Sequence, residues 1–514
     1  MKTRFAAVVP FTGSALRLSF APIAFAAMAS TLLVGGCASS TRTGWRAFEQ
    51  GNHAAAIERW TPAAEAGDAQ SQFLIGLAHD EGKGVPADPA RAAEWYRRAA
   101  SQGHPAAQCN LGALYLAGRG VERDATEAAA WFERAANQNF ATAQNNLAVL
   151  ALEGNGVPQD SVRAARLARA AAEQGHAKAQ WLLATLCLEG NGTEQDDRLA
   201  ARWFQASAEQ GLDRGEYGYG FMLERGRGVA RSESEAANWY RRAADKGLAA
   251  AQCDLGVLYY FGRGVKQDRV EAARLYRLSA AQGFQQAASN LGTMLVGGEA
   301  EPVDGDETER LLTSAANAGI AQAQYGLGWY FIHRCDDPAR TREGTRWIAA
   351  AAEGGVIAAQ REYADMLRTG RLVEADPAGA ARWYRAAAEA GDPRSQTNLA
   401  LLHLRGQGVV QSDTLAFAWF RRAADQGFAR AQLDLGKCFE TGRGTVASAV
   451  EAHRWYTLAS AAGMANAKES LERVAARMSP SEIAEATRLA RAFVPSSTAT
   501  APSAVATVPV GTEE

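Results

Sequence analysis

A glycine returns every 36 residues along most of this chain. It stands at Gly67, Gly103, Gly175, Gly211, Gly247, Gly283, Gly319, Gly355, Gly391, Gly427 and Gly463, and Asn139 fills the one remaining place in the series. Twelve anchors in a single phase, with no insertion between them, require stacked copies of one supersecondary unit. Such a chain buries its apolar residues against its own neighbouring copies, so function is sought on surfaces rather than in one deep site.

One copy shows how the unit is built. After Gly103 the chain reads HPAAQCNLGALYLAG, breaks at Gly118-Arg119-Gly120-Val121, and resumes with DATEAAAWFERAANQ. Ala107, Leu111, Leu114 and Tyr115 fall at helical spacing, as do Ala128, Trp131, Phe132 and Ala135. Asp124, with Glu127 three residues on, is the N-cap of the second helix. Asp or Ser recurs there at Asp88, Asp160, Asp196, Ser232, Asp268, Asp304, Asp376, Ser412 and Ser448, while Arg340 breaks the series. The anchor glycine ends each second helix in the left-handed region, which Asn tolerates better than most residues. Leu-Gly or Leu-Ala pairs, such as Leu111-Gly112 and Leu147-Ala148, predict close helix contact. Trp at 95, 131, 203, 239, 347, 383, 419 and 455 is expected in the core.

The pattern AQ-x-NLG-x-L-Y, then G-R-G-V, then D-x-x-x-A-x-x-W-Y/F-x-R-A-A-x-x-G resembles the Sel-one-like repeat (SLR) family, relatives of the tetratricopeptide repeat. The resemblance covers residues 67–478 in about eleven units and implies an all-α fold, an α/α solenoid wound as a right-handed superhelix. It further implies an adaptor or scaffold for other proteins, as a bacterial lipoprotein member, and supplies no catalytic residues. Two units depart from the pattern, with turns reading GGEAEPV at 297–303 and RCDDP at 334–338, and the next turn keeps only the first glycine of Gly370-Arg371-Leu372.

The chain opens with Lys2, Arg4 and Arg17, has no acid before Glu49, and is mostly apolar from Leu18 to Val34. Leu33-Val34-Gly35-Gly36-Cys37 looks like a lipoprotein signal that lipidates Cys37. The alternative is ordinary cleavage near Ala27-Met28-Ala29, giving a secreted soluble protein. With Ala38 and Ser39 after the cysteine, the expected place is the outer membrane, facing the periplasm. The expected organisation is a signal peptide at 1–36, a tether at 37–44, a capping helix pair at 45–66, the solenoid at 67–478, a capping helix at 479–493 opened by Ser479-Pro480-Ser481-Glu482, and a disordered tail at 494–514.

Loss of residues 1–36 removes three basic groups and no acid, leaving 51 basic and 56 acidic residues and a net charge of −5. That balance gives no support for nucleic acid as a partner. Cys109, Cys187, Cys253, Cys335 and Cys438 fall in units that are never adjacent, too far apart for disulfides. The sequence holds no G-x-S-x-G, P-loop, HExxH or EF-hand signature, and its seven histidines are scattered. No cofactor, metal or catalytic residue is expected, and a hydrolase lacks any constellation.

Binding surfaces remain. Asn110, Asn146, Asp254, Asn290, Asn398 and Asp434, with Glu362 as a variant, stand directly before the Leu-Gly pair. On a concave face lined by first helices, such a ladder would hydrogen-bond an extended peptide; alternatively it satisfies contacts between repeats. Three residues on come Leu77, Val149, Phe221, Val257, Trp329 and Leu401, an apolar row on the expected groove. Trp329, in the most degenerate unit, is either a partner anchor within 284–354 or the product of drift. Lys83, Arg119, Arg227, Arg263, Arg371 and Arg443 form a row of turn residues that would follow an anionic glycan, or simply a solvated edge. Two readings follow: an envelope-anchored scaffold for proteins, or a component of exopolysaccharide or peptidoglycan machinery that binds a glycan directly.

Overall fold

The computed structural model describes residues 39–304 and 306–496, so Cys37 and the signal segment lie outside the described residues, as does the chain beyond Ser496. The described residues form 26 α-helices, numbered α1–α26 in chain order, with no strand among them. The chain divides into two compact units, Met1–Gln282 and Gly283–Glu514. It is an all-α solenoid in which α3–α24 make eleven helix pairs.

In the first unit, α5 (Pro105–Ala117) and α6 (Ala125–Asn137) form one pair. Asp124 accepts hydrogen bonds from Thr126 N and Glu127 N and starts α6. Asn139 ends the pair with φ 60°, the left-handed geometry that its glycine counterparts adopt without a Cβ penalty. The two helices differ in burial. On α6 a stripe of Ala128, Ala129, Phe132, Ala135 and Ala136 is buried, whereas α5 is buried without interruption from Ala106 to Leu114.

A Cβ on Gly112 would lie 2.9 Å from the Phe132 ring and 3.0 Å from Ala128 O. The absence of a side chain on Gly112 lets the ring lie against the first helix, and burial of Phe132 stabilises the pair by roughly 1.5–3 kcal/mol. The equivalent ring positions Tyr96, Phe204, Tyr240, Tyr276, Tyr384, Phe420 and Tyr456 are also fully buried. The tryptophans directly before them are therefore turned aside. All but Trp455 are half-buried, which corrects the expectation of a tryptophan core. Arginine covers several of the exposed faces, Arg134 at 4.2 Å from the Trp131 centroid and Arg242 at 4.3 Å from Trp239.

At the amino end of this unit α1 (Ser39–Glu49) starts six residues ahead of the expected cap, inside the segment read as a tether. Trp60 on α2 (His53–Glu65) is fully buried, and its indole N–H donates to Thr41 O at 3.2 Å, which docks α1.

In the second unit the degenerate turns keep the spacing by trading loop for helix. α16 (Glu307–Asn317) has Asp306 rather than Asp304 at its N-cap position, and the Asp304 carboxylate instead accepts from Asp306 N at 3.0 Å. α18 (Pro338–Glu353) runs 16 residues because Asp337, one turn before Arg340, supplies the N-cap. There α17 (Ala321–His333) and α18 meet backbone to backbone, a Cβ on Gly328 falling 2.7 Å from Gly344 O. Ser479 and Glu482 form a capping box at the start of α26 (Pro480–Arg491). Beyond it, Ser496 donates through N and Oγ to Asp425 O, so the tail expected to be disordered from Val494 is tied down as far as it is described.

Candidate protein-interaction surface

The ladder expected on an open face is mostly internal. Asn110, Asn146, Asp254, Asn290 and Asp434 are buried. Asn110 Nδ2 donates to Tyr96 Oη at 3.1 Å, Asn146 Nδ2 stands 3.8 Å from Cys109 Sγ, and Asn290 Oδ1 accepts from Gln286 at 3.0 Å. Asp254 accepts from Tyr217 Oη at 2.9 Å, and the variant Glu362 accepts from Tyr325 Oη at 3.1 Å. Asp434 takes both Arg430 and Lys437 at 2.9 Å. The physical reason is that each first helix is enclosed by its own second helix and by the helices of both neighbours. Leu77, Val149 and Val257 are buried for the same reason, which corrects the apolar row.

Phe221, Trp329, Asn398 and Leu401 keep solvent contact, as does the variant Glu362. Phe221 is half-buried with the Arg225 guanidinium 5.7 Å from its ring centroid. Trp329 is half-buried, stacked on His333 at 4.6 Å with Arg334 6.0 Å away. Asn398 is half-buried and, with the half-buried Leu401, lines a recess of about 410 Å³.

Burial next to Glu224 carries the Asp254 carboxyl up to about 7, with burial the larger cause. It pushes the Cys109 thiol to about 12, and the five described cysteines are free. Two histidines cap first helices. His104 and His176 accept through Nδ1 from Ala107 N and Ala179 N, each at 3.2 Å, and burial holds both down at about 4. No cluster of His, Cys, Asp or Glu that would hold a metal ion occurs among the described residues.

One repeated device escaped the sequence reading. Gln108 Nε2 donates to Ala100 O of the preceding pair at 3.1 Å, and Gln138 Nε2 donates to Gln108 Oε1 at 2.8 Å. The same link joins Gln72 to Gln102, Gln144 to Gln174, Gln180 to Gln210, Gln252 to Gln282 and Gln396 to Gln426. It adds a second donor to a carbonyl in the last turn of each second helix: Ala100 O also accepts from Gly103 N at 3.0 Å. The signal was a Gln recurring at one phase with a second Gln 30 residues later. Glu216 and Lys246 take these places in one pair, meeting at 2.7 Å.

Four of the five turn arginines are paired with acids, and Arg371 is exposed with no ion pair among the described residues. Arg119 meets Asp80 at 2.7 Å, Arg227 meets Asp197 at 2.6 Å, Arg443 meets Asp413 at 2.9 Å, and Arg263 bridges Glu224 and Glu233. Each reaches the preceding pair, and its charge is neutralised there.

The Sel1 repeat model matches at 69–104, 105–140, 141–176, 177–212, 214–248, 249–284, 285–320, 357–392, 393–428 and 429–464. The chain belongs to the Sel1 repeat family. The stretch without a match, 321–356, is the pair in which α18 starts early. A protective antigen from uropathogenic Escherichia coli strains, solved as an SLR fold, is 31% identical over 85% of this chain and 94% of that one, with a TM-score of 0.73. A Sel1 repeat protein from Oxalobacter formigenes is 27% identical over 47% of this chain and 97% of that one, with a TM-score of 0.44. No curated protein matches the chain. Sel1 repeat proteins generally act as protein-interaction scaffolds, and the fold is typically non-catalytic.

Proposed function

We propose that this Sel1 repeat protein is a non-enzymatic scaffold held in the bacterial cell envelope by a lipid on Cys37, as an outer-membrane lipoprotein facing the periplasm, and that it binds protein partners on the concave face of the solenoid. The observation that carries the reading is the ten-repeat match, since the family's general activity is protein interaction. The internal ladders support it: Asn, Gln and turn Arg side chains are spent on joining repeats, and recognition falls to the side chains that remain accessible. Of the partner-binding set, these are Phe221, Trp329 and Asn398. Anchoring rests on the Leu33-to-Cys37 pattern, and among the described residues no helix is long and apolar enough to cross a membrane.

The test is a crosslinked pull-down of the mature chain from its own cell envelope, with Trp329→Ala alongside. One or two proteins enriched by the wild type and lost from the variant are expected. Enrichment of glycan in place of protein would overturn the scaffold reading, and equal capture by both chains would remove Trp329 as its anchor.

A further inference from the structure

The recess beside Asn398 lies within the second unit, on three successive first helices: α19 (Ile357–Thr369), α21 (Pro393–Arg405) and α23 (Ala429–Thr441). Its lining includes five arginines, Arg361, Arg368, Arg394, Arg405 and Arg430, against one carboxylate, Asp365. Three of the five already have anionic partners: Arg361 with Asp392 at 2.8 Å, Arg368 with Asp365 at 3.5 Å and Arg430 with Asp434 at 2.9 Å. Arg394 and Arg405 are exposed and have no ion pair or hydrogen bond among the described residues. Leu401, Leu402 and Phe428 give the recess an apolar part, and Asn398 adds an amide to its lining.

From this arrangement we infer that the recess is a docking site for an acidic segment of a protein partner. The inference rests on the scaffold reading and names the chemistry of what is bound. A guanidinium holds a carboxylate through two parallel N–H···O bonds, and two such forks stand open here. Arg394 and Arg405 stand about 16 Å apart along α21, each without a counter-charge, so each can take a different carboxylate of one extended acidic segment. The apolar lining and the amide favour a peptide, which brings side-chain methylenes and backbone groups, over a bare inorganic anion. The volume of about 410 Å³ falls within the usual range for a ligand recess.

The test titrates full-length mature protein with two labelled peptides, acetyl-ELEELE and acetyl-QLQQLQ, at low and at physiological salt. A protein with both Arg394→Gln and Arg405→Gln is run in parallel. Both arginines are exposed and unpaired, so the thermal midpoint of the double variant is expected to match the wild type. The Glu peptide is expected to bind the wild type, to weaken at least tenfold in the variant, and to weaken with salt. Equal binding of the Glu and Gln peptides, or no loss in the variant, would overturn the site. So would inorganic phosphate that binds as tightly as the Glu peptide, since the recess would then be a small-anion site. Envelope partners captured equally by wild type and double variant would sink this site and leave the scaffold reading standing, whereas enrichment of glycan in place of protein would sink that reading itself.

Discussion

Tyr217 Oη donates to Asp254 Oδ2 at 2.9 Å across the boundary between consecutive repeats. Asp254 is buried, Glu224 lies close enough to repel its charge, and Arg225 and Arg263 offset this only in part, so the carboxyl rises from 3.8 to about 7. The folded state thus holds this proton more tightly than the unfolded chain does. The contribution to stability is complete below about pH 4 and is lost as pH rises through about 7. Asp254→Asn, which places here the residue that equivalent positions such as Asn110 and Asn146 carry, should be more stable than the wild type at pH 8. The gain should be on the order of 2–4 kcal/mol, and it should shrink towards pH 5. Thermal melts of both proteins at the two pH values check this; parallel pH dependences would refute it.

The histidine caps act in the opposite direction. His104 and His176 are held down at about 4 from 6.5, and each accepts a backbone N–H through Nδ1 only when that nitrogen is unprotonated. Their stabilisation is complete above about pH 6.5 and is lost as pH falls through about 4. A protein with His104→Asn and His176→Asn keeps a capping acceptor that does not titrate. It should lose less stability than the wild type between pH 7 and pH 4.5, by roughly 2 kcal/mol for each cap. A variant that melts earlier by the same amount at both pH values would show that the caps do not titrate.

The second glycine of each turn abuts the preceding repeat. A Cβ on Gly120, at φ 70°, would lie 2.2 Å from Pro89 C, whereas one on Gly103, at φ 90°, would meet nothing within 4 Å. Gly103→Ala should cost about 1 kcal/mol from backbone strain alone. Gly120→Ala adds a collision with main chain and should cost at least about 3 kcal/mol. Urea titrations of the two variants separate strain from collision, and equal losses would contradict the assignment.

Leu372 occupies that second-glycine position with φ 68° and is 41% exposed. A leucine in left-handed geometry carries strain that its partly exposed side chain does little to offset. Leu372→Gly should therefore raise stability by about 1 kcal/mol, read as a higher thermal midpoint. A lower midpoint would show that Leu372 packs more than it strains.

Much of the architecture was readable because its signals are local. The anchor at Asn139 and the cap at Asp124 each act within a few residues of their own helix, so period and chemistry agree before any packing is considered. Side-chain burial was less readable. Whether Asn110 faces solvent depends on helices one repeat before and one after, and the sequence of α5 reads alike in both cases. Trp131 misled because a large aromatic at helical spacing suggests core, yet Phe132 holds that place and Trp131 lies at its edge under Arg134. The arginine recess left little signal. Arg394 and Arg430 share a phase, but Arg361, Arg368 and Arg405 stand at three others, and only stacking brings the five together.

The glutamine and arginine links bear on how such a chain can change. Gln108 reaches Ala100 and Gln138, Arg119 reaches Asp80, and Tyr217 reaches Asp254. Each tie joins a repeat to itself or to the next one. A cut that removes 36 residues between copies that carry the glutamine link therefore meets each severed Gln with another Gln, whereas the Arg119–Asp80 and Tyr217–Asp254 ties belong to particular copies. Duplication of one repeat does the same in reverse. Where the joint is the glutamine link, length is thereby separated from integrity, and a lineage can lengthen or shorten its surface one whole copy at a time without redesigning that joint.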